Sequence, residues 1–403
     1  MTSTVAAPDV AESPPTMRPW VENLVLTALS MVLALAVGAV LIAVSDPDVT
    51  SAMQYFFADP LNTFEAMWTS VSEAYAALFQ GAIFNFGADS FSQGIRPMTE
   101  TLTVAAPLIA AGLSVALAFK AGLFNIGAEG QMLIGATCAG YVAFTWHLPG
   151  PLHLTLAVVA GIAGGALWAG IAGLLKATTG AHEVITTIML NYVARYLVAF
   201  LLTTAAFQRP GRNDPISPIV DATAQLPRLL GDQFRLHGGI LLSLGAAVFV
   251  WWLLNRSTLG FRFRAVGANA AAARSAGINV GRSIFQVMVI AGGLAGLAAV
   301  SQVLGTEKAL TGGISAGVGF DAITVALLGR GSPLGVVLAG LLFGGLKAGG
   351  VTMQAQTGTP IDIVLVVQSL IVLFIAAPPL IRSIFRIRSG GIGSMQMSKG
   401  WGE

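Results

Sequence analysis

The stretch Leu24-Val-Leu-Thr-Ala-Leu-Ser-Met-Val-Leu-Ala-Leu-Ala-Val-Gly-Ala-Val-Leu-Ile-Ala-Val44 runs for 21 residues without a charge. As a helix rising about 1.5 Å per residue it is roughly 30 Å long, the thickness of a bilayer's hydrocarbon core. It is longer than the roughly 7–15 apolar residues of a secretory signal, so it reads as an uncleaved first span. Similar runs recur at 98–119, 123–146, 152–175, 184–206, 238–254, 283–304, 333–350 and 361–381, with a shorter one at 321–329. Of the 403 residues, 55% are hydrophobic and 10% charged, against about 25% charged in a soluble domain. A soluble enzyme, a secreted disulfide scaffold and a disordered chain are excluded. The net charge of +2 gives no reason to expect a nucleic-acid partner, and the single cysteine, Cys138, permits no intrachain disulfide. The expected fold is an all-α integral membrane protein of about ten transmembrane helices.

The segments between the runs set its orientation. Residues 1–19, with Pro8, Pro14, Pro15 and Pro19 among Ala, Ser and Thr, read as a disordered cytoplasmic tail. Residues 20–388 form the membrane domain and 389–403 a second cytoplasmic tail. Segment 45–96 carries six acids (Asp46, Asp48, Asp59, Glu65, Glu73, Asp89) and one base, Arg96, and is expected outside the cell. Within it Phe64, Met67, Trp68, Val71, Tyr75, Leu78 and Phe79 recur at helical spacing, and Asn62 with Glu65 reads as a capping box. An amphipathic helix should lie at the interface and pack on the membrane domain. Loop 256–282 has five Arg (256, 262, 264, 274, 282) and no acid, and the C-terminal end has Arg382, Arg386, Arg388 and Lys399 against Glu403. Both are expected to be cytoplasmic by the positive-inside rule, as is the N-terminus. Whether 321–329 crosses or re-enters stays open.

Two Gly-rich stretches with a carboxylate interrupt the apolar runs: Ala121-Gly-Leu-Phe-Asn-Ile-Gly-Ala-Glu-Gly130 and Leu310-Thr-Gly-Gly-Ile-Ser-Ala-Gly-Val-Gly-Phe-Asp321. Broken or re-entrant helices at matching places in pseudo-repeated halves point to a midplane solute site. Glu129 at membrane depth either shapes a pathway or holds the break by capping a half-helix. Asn125 and Gln131 beside it, Asn191 in the middle of its span, Phe320 and Asp321 are the other pathway candidates. For Asn191 an interhelical hydrogen bond is as good a reading. Glu183 is expected to cap its helix. Gly161/Gly165, Gly292/Gly296 and Gly340/Gly344 read as helix-packing pairs. There is no phosphate loop, no His/Cys cluster at metal spacing and no Ser/His/Asp set, so neither an enzyme nor a cofactor of its own is expected. In loop 260–278, Ala270–Ala276 should form a short helix started by Asn269 and stopped by Gly277. It suits docking to a soluble partner, or equally a basic loop at lipid headgroups.

The run Phe124-Asn-Ile-Gly-Ala-Glu-Gly-Gln-Met132 resembles the signature of nucleoside-type permeases of ATP-binding-cassette importers, in the superfamily of the ribose and branched-chain amino-acid permeases. Glu183-Val-Ile-Thr-Thr-Ile-Met-Leu-Asn-Tyr192, Arg264-Ala-Val-Gly-Ala-Asn269 with Ala272-Ala-Arg-Ser-Ala-Gly-Ile278, and Gly319-Phe-Asp-Ala-Ile-Thr-Val-Ala-Leu-Leu-Gly329 extend the resemblance over about 60–385. His182, Ser275 and Ala270 depart from the family's usual Asn, aromatic and Pro. The resemblance implies a permease paired with a sister or a second copy in the plasma membrane of a bacterium. ATPase subunits carrying ATP and Mg would sit on the inside, and an extracytoplasmic lipoprotein would deliver the ligand. It implies that Phe124, Asn125, Glu129, Gln131, Asn191, Phe320 and Asp321 line the substrate pathway. It also implies that Arg264, Gly267, Asn269, Ala272, Ala273, Gly277 and Ile278 couple to the ATPase. Simple sugars or branched-chain amino acids are the alternative substrates, and a stand-alone ion-coupled carrier the rival class.

Overall fold

The computed structural model describes residues 19–386, those from 25 onward with their side chains. Apart from Pro19, the two expected tails lie outside the described residues. In chain order the helices are α1 (Pro19–Ser45), α2 (Pro47–Met53), α3 (Pro60–Ala82), α4 (Phe91–Lys120), α5 (Ala128–Thr145), α6 (Gly150–Thr179), α7 (Glu183–Leu201), α8 (Gly239–Arg256), α9 (Thr258–Ala268), α10 (Ala270–Ser275), α11 (Val280–Val300), α12 (Val318–Leu328), α13 (Pro333–Thr357), α14 (Asp362–Ala376) and α15 (Pro378–Ile384). A π-helical turn, Ser301–Thr306, extends α11. No strand occurs among the described residues.

Among the described residues, seven helices are long and apolar enough to cross a bilayer: α1, α4, α6, α7, α8, α11 with its π turn, and α13. The α14–α15 pair, bent by 93°, is either a broken eighth span or a re-entrant loop. Helices α5 and α12 start at the two Gly-rich breaks and are not among these spans, so the seven to eight found are roughly consistent with the about ten anticipated. At 11 residues α12 is about 16 Å long, half a bilayer, so 321–329 belongs to a half-helix. The outward side chains are apolar: Leu167 is 74% exposed, Tyr196 70% and Val248 65%. Such a surface is insoluble in water and at ease in lipid.

The chain divides into two compact units. One comprises the chain up to Val40 and from Val366 onward, which is most of α1, the larger part of α14, and α15. The other, Leu41–Leu365, holds both breaks. Its core is α4, whose residues from Ala105 to Ala118 are all buried, with α13, α11 and α12 packed against it. The predicted small-residue pairs form its seams. A Cβ added to Gly165 would lie 2.3 Å from the carbonyl oxygen of Gly292, and one on Gly296 2.2 Å from that of Gly161. The α6 and α11 backbones therefore touch directly. Gly340 and Gly344 of α13 admit Ile109 and Ala105 of α4 in the same way.

Three expectations need correction. Helix α3 is capped by Asp59, whose carboxylate accepts from the Asn62 N–H at 3.2 Å, with Pro60 at the first helical position. Asn62 is thus already inside the helix. It also docks by its small face, not its aromatic one. Ala74, Ala77 and Gly81 are buried, with Gly81 against Thr352 and Leu78 over Gly349 of α13, while Phe64, Trp68 and Phe79 stand exposed. Close approach to the glycines of α13 selects the face that lacks large rings. Glu183 does not cap α7: its carboxylate pairs with Lys176 Nζ at 2.9 Å, tying the end of α6 to the start of α7.

The long segment 202–238 is ordered by backbone pairing with the second break. The Ser217 N–H donates to Leu310 O at 3.0 Å, Val220 to Lys308 O at 2.9 Å and Leu226 to Leu304 O at 3.0 Å. His237 fills a slot in which a Cβ on Gly305 would strike its ring.

Candidate functional site

The two breaks meet. Residues 121–127 leave the end of α4 without helical structure, and α5 then begins after Gly127. Residues 307–317 approach from the other end of the bundle, and α12 begins after Gly317, whose φ of +74° only glycine adopts without strain. Glu129, in the first turn of α5, bridges them. Its Oε2 accepts from the Gly319 N–H in the first turn of α12 at 3.1 Å, and Ser315 Oγ donates a short hydrogen bond to its Oε1. One carboxylate thus serves two helix N-termini, each of which carries a partial positive charge. The contact is tight, because a Cβ on Gly319 would lie 2.3 Å from the Glu129 Cα.

Asn125, Gln131 and Asn191 hold the first break in shape. Asn125 Nδ2 donates to Gln131 Oε1 at 3.2 Å, Gln131 Nε2 returns a bond to Asn125 Oδ1 at 2.9 Å, and the Gly127 N–H adds a third at 3.0 Å. Asn191, reaching over from α7, accepts from the Gly130 N–H at 2.8 Å and donates to Ile126 O at 2.9 Å. All three amides are buried. An irregular backbone at this depth has no water to satisfy it, and these side chains do so. Thr187, one turn before Asn191, faces Gly127.

The remaining pathway candidates lie apart from this network. Phe124 is 38% exposed and rests against Phe119, with ring centroids 4.9 Å apart, and Phe320 is 50% exposed. Asp321 pairs with Lys347 of α13. Sequence reasoning missed Lys347, although a lone cation inside the apolar run 333–350 was visible as an intramembrane charge. It also missed Ser315, whose partner is 186 positions away.

The basic segment is two helices, where the sequence reading expected a loop and one helix. Ser257 caps α9, accepting from the Gly260 N–H at 2.9 Å, and Phe263 and Val266 bury its inner face. Helix α10 is as anticipated. Asn269 Oδ1 accepts from the Ala272 N–H at 2.9 Å, and Gly277, at φ +80°, ends it. Arg264, Asn269, Ala272, Arg274 and Gly277 are exposed, Ala273 is buried and Ile278 half-buried. Gly267 is pressed onto the end of α4, where a Cβ would lie 2.3 Å from Lys120 O and 2.9 Å from the Gly122 N. The basic segment therefore bears on the residues that open the first break.

A profile described as the permease component of branched-chain amino acid transport systems matches residues 98–376, a span that includes both breaks and α9–α10. The chain is 38% identical over 363 residues to the guanosine ABC transporter permease protein NupP of Bacillus subtilis, covering 90% of this chain and 95% of that one. It is 37% identical over 290 residues to the nucleoside ABC transporter permease protein NupB of Lactococcus lactis, covering 70% and 79%. A glucose ABC transporter permease protein of Haloferax volcanii is 38% identical over 287 residues, covering 69% and 75%. No solved structure gives a significant match.

Proposed function

The chain belongs to the family of permease components of branched-chain amino acid transport systems, and from that premise we propose that it is the membrane subunit of an ATP-binding-cassette importer of nucleosides. The observation that carries the substrate is the nearly end-to-end similarity to a guanosine permease. The glucose permease is matched over less of either chain, and keeps a simple sugar as the second reading. A stand-alone ion-coupled carrier does not fit a family of transport-system components.

In this reading the protein sits in a bacterial plasma membrane with both termini cytoplasmic, surrounded by lipid and paired with a sister permease or a second copy. ATPase subunits dock on the exposed face of α9–α10 and hold the ATP and Mg, while this chain carries no cofactor. A substrate-binding lipoprotein delivers the solute on the opposite side. Movement of α9 reaches Lys120–Gly122 through Gly267, then the first break and α5, and through Glu129 the start of α12. ATP binding and release bias two arrangements of these elements, and the ligand shifts the balance only by binding one better than the other. Because the amides of Asn125, Gln131 and Asn191 are engaged with one another and with backbone, they hold the wall of the pathway. In this reading the half-exposed rings of Phe124 and Phe320 stack on a base.

The test is uptake of labelled guanosine and uridine by cells with and without the gene, with ATP depletion and with unlabelled ribose, glucose and leucine as competitors. Gene-dependent, ATP-dependent uptake unaffected by the competitors is expected. Loss of glucose or leucine uptake instead, with nucleoside uptake unchanged, refutes the substrate assignment.

A further inference from the structure

A cavity of about 670 Å³ lies between α3, α4 and α13, within the roughly 300–1,000 Å³ typical of small-molecule sites. None of the residues predicted to line a pathway borders it. Its walls are apolar at Val104, Val351 and Ile361, and polar groups converge on it from Gln80, Gln356 and Lys347. Neither Gln80 nor Gln356 has a hydrogen-bond partner for its amide among the described residues. Its charges are largely balanced. Arg235 pairs with Glu100 at 3.2 Å and Lys347 with Asp321, which leaves Arg96, exposed on the first turns of α4. An uncharged solute with hydroxyls and an apolar face matches this lining, whereas a phosphate would find Arg96 and Arg235 exposed but just one of them, Arg96, without a carboxylate partner among the described residues.

The cavity's place is also telling. It is bordered by the first turns of α4, through Arg96 and Glu100, while the last residue of α4, Lys120, abuts Gly267 of α9. It therefore lies towards the end of the bundle opposite the basic segment. Lys347, in mid-α13, belongs both to its lining and to the ion pair with Asp321. Asp321 is two residues beyond Gly319, whose N–H is held by Glu129.

We infer that this cavity is the entry site for the solute, taking an uncharged nucleoside, and that the Lys347–Asp321 pair is the contact through which its occupancy is felt at α12. The inference rests on the importer reading above. Gln80 and Gln356 bond hydroxyls or base edges, and the apolar wall takes the ring. A solute that bonds Lys347 loosens its hold on Asp321 and so on the half-helix that meets Glu129.

The test uses the full transporter in cells, with Cys138→Ala as parent and Val104→Cys in the cavity wall. A membrane-impermeant thiol reagent should label the Val104→Cys thiol and stop uptake. Guanosine at ten times its half-saturating concentration should slow labelling roughly tenfold. Labelling unaffected by guanosine, in cells whose guanosine uptake is intact, overturns the entry site. Equal protection by guanosine monophosphate overturns the assignment to an uncharged solute. If the parent carries no nucleoside, the importer's substrate reading fails instead, and the cavity is judged by the same protection with whichever of glucose or leucine the parent carries. For the ion pair, Lys347→Gln should lose uptake while guanosine still protects the Val104→Cys thiol. Normal uptake in Lys347→Gln overturns the role of the pair.

Discussion

Replacing Gly267 with alanine should uncouple the basic segment from the first break. The new Cβ would stand 2.3 Å from Lys120 O, 2.8 Å from the Ala121 carbonyl carbon and 2.9 Å from the Gly122 N. All are backbone atoms, so no side chain can swing aside. Non-bonded atoms rest about 3.5 Å apart, so α9 must withdraw from the end of α4 by roughly 1 Å. Overpacking of this kind costs about 1–3 kcal/mol. That cost falls on whichever arrangement keeps the two segments in contact. Spread across a two-state balance, it is roughly a 5–150-fold change in populations. The assay is the complete transporter in vesicles, with ATP hydrolysis and nucleoside uptake measured on the same preparation. Gly267→Ala should retain ATP hydrolysis and lose at least about fivefold in uptake, with membrane abundance near that of the parent. Uptake and ligand-stimulated hydrolysis both at parental levels would refute the reasoning, because the contact would then carry no motion.

Glu129→Gln keeps the side chain's shape but removes the charge set between two helix N-termini and puts an amide N–H against a donor. It should accumulate in the membrane and lose uptake, whereas Gly319→Ala, driven into the Glu129 backbone, should lose abundance as well; a Glu129→Gln protein missing from the membrane would give Glu129 a holding role alone. His237 is neutral in the folded chain. Its Nδ1 accepts from the Gly239 N–H at 3.1 Å and its Nε2 faces Thr306 Oγ1 at 3.1 Å. Burial, with Arg235 and Lys308 nearby, pushes its pKa down from 6.5 to about 4. Between those values the unfolded chain binds the extra proton, so stability falls as pH drops from 6.5 to 4, by up to about 3 kcal/mol. Thermal unfolding of purified protein across that range should show the step, and a His237→Gln variant with an equally steep profile would disprove the assignment.

Much of this fold could be read along the chain because membrane helices advertise themselves by length and apolarity. The breaks were legible because glycines cluster where backbones leave the helix, and α10 because Asn269 and Gly277 mark its ends. What escaped was set by partners distant in sequence. The periodicity of α3 was right, yet which face it buries depends on glycines of α13 more than 260 positions later. Helix α9 looked like a basic loop because its arginines face outward and the residues that hold it down, Gly260, Phe263, Val266 and Gly267, include just two large apolar side chains. Segment 202–238 has no periodic pattern, and its order comes from backbone bonds to 304–310. At the site, Asn125, Glu129, Gln131 and Asn191 were picked out as polar groups at depth. Their division of labour appears only when Ser315, Gly319 and Ile126 are seen beside them.

The α6–α11 seam has a consequence for how such a protein can change over generations. At Gly161, Gly165, Gly292 and Gly296 any side chain larger than hydrogen meets the opposing helix, so each single substitution in that wall costs about 1–3 kcal/mol of overpacking. A lineage that acquires a new cargo must vary elsewhere, and the cavity wall at Val104 and Val351 or the open ring of Phe320 offers positions where a mutation has room to land. Selection for altered substrate range should therefore leave the seam untouched and gather its changes on the cavity-facing side of α4 and α13.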